Sequence, residues 1–118
     1  MKNKISLSIT HNNAKRMEYF LNRVKEELVE VHFDWRNWKN SDQINDGCKF
    51  ISVESKEPVT ICILFCDSYH DANRIGKANE LPCLPTAKWS VNGDVMYFVE
   101  SNDADKVSDI LSLFAGEE

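Results

Sequence analysis

No stretch of the chain approaches the ~18 consecutive apolar residues of a membrane-crossing helix. The longest unbroken apolar run is Ile61-Cys62-Ile63-Leu64-Phe65-Cys66. The four cysteines, Cys48, Cys62, Cys66 and Cys83, include no C-x-x-C pair and are too sparse for a disulfide scaffold. His11, His32 and His70 stand at no zinc-ligand spacing relative to them. Cations are outnumbered: 14 Lys and Arg face 19 Asp and Glu, for a net charge of −5. Such a surface repels phosphate backbones at long range, which argues against generic nucleic-acid binding. It fits either simple solubility or a basic protein partner. Glycine-rich phosphate loops, Ser-His-Asp signatures, internal repeats and low-complexity tracts are all missing. The expectation is therefore a protein with no cofactor, no metal and no membrane partner.

What is there suits one soluble domain. The 118 residues are 42% apolar and 28% charged, enough for one core and too few for a barrel enzyme, a two-domain dehydrogenase or a repeat array. Lys2 and Lys4 precede an alternating Ile5-Ser6-Leu7-Ser8-Ile9, which is a strand pattern rather than the apolar block of a signal peptide. The expected location is the cytoplasm, with the cysteines reduced.

The alternation predicts a first strand over 4–10. Thr10-His11-Asn12-Asn13 then supplies several possible helix caps. Met17, Phe20, Leu21, Val24 and Leu28 form one apolar stripe, which predicts a helix to about Glu30. Val31, Phe33 and Trp35 alternate as a second strand, and two parallel strands joined by a helix make a right-handed βαβ unit. Residues 36–47 are polar and read as a loop or insertion, followed by a short strand from Lys49 to Ser55. Val59 to Cys66 reads as a central strand covered on both faces. Asp67-Ser68 caps a helix over about 69–79, with Tyr69, Ala72 and Ile75 as its apolar stripe and Gly76 as a weak point. Asn92-Gly93 marks a hairpin between 87–91 and 94–99. Asn102-Asp103 caps a last helix whose apolar face is Val107, Ile110, Leu111 and Phe114.

In the second half, Leu84-Pro85-Thr86 is followed by five strand residues, Asn92-Gly93-Asp94-Val95, a second strand and an amphipathic helix. This pattern resembles the thioredoxin-like superfamily, over about 60–115 closely and over 4–35 loosely. The resemblance implies a single thioredoxin-like α/β domain over residues 1–118. It would have a mixed central sheet, helices on both faces, an insertion at about 36–58 and a cis peptide bond before Pro85. Thioredoxins place their C-x-x-C where the first long helix begins, and the matching stretch here, Thr10 to Ala14, has no cysteine. That start also resembles the KaiB-type clock proteins, which look thioredoxin-like without being oxidoreductases.

The implied function is a non-dithiol protein-binding or regulatory module. Its groove would combine Thr10, His11, Asn12 and Asn13, at a helix N-terminus that favours anions, with Cys83, Leu84, Pro85 and Thr86. Trp35 and Trp38, interleaved with Arg36 and Lys39, offer an aromatic contact suited to a protein hot spot. Two alternatives stand beside this reading. One is a monothiol enzyme or redox sensor using Cys83. The other is an acidic inhibitor or immunity-type protein that binds a basic partner.

Overall fold

A computed structural model describes residues 15, 18, 21–24, 27–38, 40–52, 56–79 and 87–115. Five strands form one sheet: β1 (Leu28–Val31), β2 (Ile44–Ser52), β3 (Val59–Cys66), β4 (Lys88–Asn92) and β5 (Val95–Ser101). Their order is β1-β2-β3-β5-β4, and every recorded pairing is antiparallel. With the sheet, α1 (Tyr69–Ala78), between β3 and β4, and α2 (Ala104–Ala115), at the end, belong to one compact α/β domain; among the described residues Lys15, Glu18 and Leu21 are helical as well.

β3 is the middle strand, as its unbroken apolar run predicts. Alternation splits its side chains between two clusters. Val59, Ile61, Ile63 and Phe65 join Val95, Tyr97 and Val99 of β5 under Val107, Ile110 and Phe114 of α2, together with Leu21 and Val24. Cys62, Leu64 and Cys66 join Met96 and Phe98 with Ala72 and Ile75 of α1. Each helix therefore buries a stripe against a different residue set of the same two strands. Burying one large aliphatic side chain contributes roughly 1.5–3 kcal/mol, so these clusters dominate the stability of the fold.

Local chemistry explains the helix limits. The Ser68 hydroxyl accepts the Asp71 N–H at 3.1 Å and starts α1. Asp103 Oδ1 accepts the N–H groups of Asp105 and Lys106 at 3.0 and 3.3 Å and starts α2. Such caps are each worth about 1 kcal/mol. At the far end of α1, the Asn79 side chain donates to the Ile75 carbonyl at 2.8 Å.

Several expectations are corrected. The sheet is antiparallel across the described strands rather than mixed: β1–β2, β2–β3 and β4–β5 pair antiparallel, and so do β3 and β5, which are neighbours although α1 and β4 lie between them in sequence. The first helix does not extend to Glu30. Lys15, Glu18 and Leu21 are helical, but Leu28–Val31 is strand, paired with Lys49–Ser52. Leu28 still packs on the core, as a helical Leu28 would have. The strand expected through Phe33 and Trp35 stops at Val31, and Trp35–Asn37 forms a 3-10 turn.

The 36–58 segment holds more regular structure than the expected loop and short strand. A second 3-10 turn (Ser41–Gln43) leads into β2, which is nine residues long and begins at Ile44, well before the expected Lys49. Tyr69 is 61% exposed and takes no part in the α1 stripe. In the hairpin, Asn92 pairs with Val95, so the two-residue turn is Gly93-Asp94 rather than Asn92-Gly93. Only Gly93 there has positive φ, at 65°. Thr10, His11, Asn12, Asn13, Cys83, Leu84, Pro85 and Thr86 lie outside the described residues, as does the 4–10 strand.

A bulge in β2 has a consequence for the site. Ile44 pairs with Cys66 but Asp46 pairs with Phe65, so Asn45 is the extra residue. The alternation shifts by one at that point. Ile44 packs on the α1 side, whereas Cys48 and Phe50 pack on the α2 side. Asn45 is held outward, with its amide donating to Asp67 Oδ1 at 2.8 Å. Once shifted, the odd positions of β2, Gly47 and Lys49, fall on the α1 side.

Candidate functional site

On the α1 side, α1 and the Trp35–Trp38 segment pack on the same sheet cluster. Trp35 lies so close over Gly47 that a Cβ there would sit 2.7 Å from Trp35 Cδ1. The Arg36 guanidinium carbon stands 4.9 Å from the centre of the Trp35 ring, a cation–π contact. Asp34 organises the turn by accepting the Arg36 N–H at 3.2 Å. That turn carries Trp38 onto the sheet. Trp38 meets Phe98 edge-on, with ring centres 6.0 Å apart, and meets Phe33 edge-on at 5.8 Å. Such perpendicular pairs are favourable geometry for aromatic rings.

Between these rings and the end of α1 lies a cavity of about 340 Å³. Its floor is sheet: Lys49 from β2, Thr60 and Cys62 from β3, and Phe98 and Glu100 from β5. Phe33, Asn37 and Trp38 line it from the turn segment, and Asn79 from the end of α1. The pairing register explains why these residues meet. Lys49 is opposite Cys62, and Cys62 is opposite Phe98, so the three form one row across the sheet. Thr60 is opposite Glu100, one step along the same face. The volume falls in the range of small-ligand pockets, about 300–1,000 Å³.

Of the sequence-derived site residues, the structure places Trp35 and Trp38 against the same cluster, and only Trp38 lines the cavity. The tryptophans are thus half-buried packing elements as well as candidate contacts. Sequence reasoning missed Lys49, Cys62, Phe98 and Glu100. The alternations Thr60/Cys62 and Phe98/Glu100 place each pair on one face of its strand. The register that brings them together, and the bulge that turns Lys49 to that side, were not readable.

The described thiols are poorly suited to chemistry. Cys48, Cys62 and Cys66 are buried and form no disulfide. Burial, reinforced by nearby Glu30 and Asp46, raises the Cys48 pKa far above that of an ordinary thiol. Burial also pushes Cys66 up to about 12, with Asp71, Asp94 and Asp67 adding to the effect. Low-pKa thiolates need an exposed, electropositive setting, the opposite of both. Cys62 and Cys66 pack in one cluster, as their spacing in a strand implies. Among the described residues, no group of three or more His, Cys, Asp or Glu is placed to hold a metal ion. None of the described helices is long and apolar enough to cross a membrane.

No protein-family model matches the chain, and no curated protein or solved structure matches it.

Proposed function

We propose that this protein is a non-catalytic, non-dithiol binding or regulatory module of thioredoxin-like type that engages a protein partner. The observation that carries the reading is the state of the thiols. Cys48 and Cys66 are buried and held protonated at neutral pH, so neither supplies the thiolate that disulfide exchange requires. The aromatic turn at Trp35 and Trp38 is the second support, because half-buried tryptophans make good binding anchors. The thioredoxin-like groove of Thr10–Asn13 and Cys83–Thr86 belongs to the proposal, with Trp38 contributing from the turn. The acidic balance of the chain favours a partner with a basic face.

An insulin-reduction assay driven by dithiothreitol tests the redox half of the proposal. The expected result is no acceleration over dithiothreitol alone, and robust turnover would reject the reading. A photo-crosslinking residue at Asn37 tests the binding half. The expected result is one discrete protein adduct that disappears in a Trp38→Ala variant. An adduct indifferent to Trp38 would remove the aromatic turn from the interface. The isomer of the bond before Pro85, read from the carbon chemical shifts of the proline ring, tests the thioredoxin-like assignment itself.

A further inference from the structure

The cavity on the α1 side contains an electrostatic feature that a partner-binding turn does not account for. Lys49 and Glu100 are both half-buried, carry opposite charge and line the same cavity. Among the described residues neither forms an ion pair. Their backbones are two strand spacings and one two-residue step apart, about 12 Å at Cα from ordinary sheet dimensions. The floor between them is apolar, formed by Cys62 and Phe98 with Trp38 standing over it. A partly desolvated charge is costly unless something compensates it. A ligand of one sign would satisfy one of these two groups and leave the other as it was.

We propose that this cavity binds a small zwitterion with an ammonium at one end, a carboxylate at the other and an apolar body between them. The carboxylate accepts hydrogen bonds from the Lys49 ammonium, and the ligand ammonium donates to the Glu100 carboxylate. The apolar body lies on Cys62 and Phe98 beneath Trp38. Ligand hydrogen bonds to ionised groups are the strong ones, and here both ends make them. The aromatic rings add dispersion and favour a cationic end near their faces. The volume limits the ligand to small-molecule size, and Lys49 as the one cation among the described lining residues argues against a polyphosphate. This proposal goes beyond the partner-binding reading and does not depend on it.

Titration of the full ¹⁵N-labelled chain with ε-aminocaproate as the probe tests the proposal, with hexylamine and caproate as matched single-charge controls. The expected result is a saturable shift of the Trp38 indole N–H and of the Cys62 and Phe98 amides. The zwitterion should bind at least about tenfold more tightly than either control, as expected for an added charged hydrogen bond. In Lys49→Gln the advantage over hexylamine should vanish. In Glu100→Gln the advantage over caproate should vanish. Each variant keeps a polar side chain of similar length, and unchanged amide spectra away from the cavity confirm that it is folded. No saturable shift, equal binding of all three probes, or variants that bind as the parent does would each overturn the proposal. None of these outcomes bears on the insulin or crosslinking results.

Discussion

The side-chain amide of Asn92 donates a 2.7 Å hydrogen bond to the main-chain carbonyl of Phe114. Asn92 ends β4 and Phe114 sits in the last turn of α2, so one contact joins the edge hairpin to the helix C-terminus. It reaches one of the last carbonyls of the helix, where intrahelical N–H donors run out. The bond is partly buried, so removing the amide takes away a hydrogen bond shielded from water. Asn92→Ala is expected to lower unfolding stability by about 1–2 kcal/mol. Urea denaturation measures the change, and amide exchange should quicken first in the final turn of α2. A loss under a few tenths of a kcal/mol would show that water replaces the bond freely.

Gly76 is buried in α1 with the Trp89 ring against it, so a Cβ at that position would run into the ring. Helix propensity alone says Gly→Ala should help by up to about 1 kcal/mol. Packing opposes it, since forcing volume into a filled contact costs about 1–3 kcal/mol. Gly76→Ala should therefore destabilise the protein. The double variant Gly76→Ala/Trp89→Leu should recover part of the loss relative to Trp89→Leu alone. Simple additivity in thermal melts would argue against the contact.

Ser52 is a buried polar residue at the end of β2, and its hydroxyl accepts the Val59 N–H at 2.8 Å. It ties the connection between β2 and β3 at the point where the central strand begins. Ser52→Ala leaves a buried N–H without an acceptor, a penalty of about 1–3 kcal/mol. Ser52→Thr keeps the acceptor and should lose less. Chemical denaturation of the pair separates the hydrogen bond from the loss of volume.

The thiols make a pH prediction. The Cys66 pKa is about 12 in the folded chain, against an ordinary thiol value of 9.0. Cys48 is shifted in the same direction. A raised folded pKa means the folded state binds protons that the unfolded state has released. The contribution to stability is thus full below pH ~9 and falls as pH rises from there toward 12. The urea midpoint should drop between about pH 8 and about pH 10.5, and less so in a Cys48→Ala/Cys66→Ala variant. At neutral pH, iodoacetamide should label neither residue until denaturant is added. Rapid labelling of the native protein at Cys66 would contradict its burial.

Much of the C-terminal half was legible from the chain itself. Val59 to Cys66 had to be a covered strand, because six consecutive apolar residues have no solvent-facing side. Gly93 marked a turn because it tolerates positive φ, although it was Gly93-Asp94 that formed it. Ser68 and Asp103 started helices because their side-chain oxygens meet backbone N–H groups a few residues on. All of these are interactions within a few residues of sequence.

The tertiary structure decided what depends on partners far along the chain. Leu28 suits a helical stripe and a strand equally well, and pairing with Ser52 settled it as strand. The bulge at Asn45 reversed which side of β2 faces α1, a one-residue shift with no signature in composition. Lys49, Phe98 and Glu100 come from strands that become neighbours only in the folded sheet, so their common cavity follows from register. Local preference is a property of the residues in hand. Which side chains meet across a sheet is set by the pairing of its strands, and that requires the whole chain to fold.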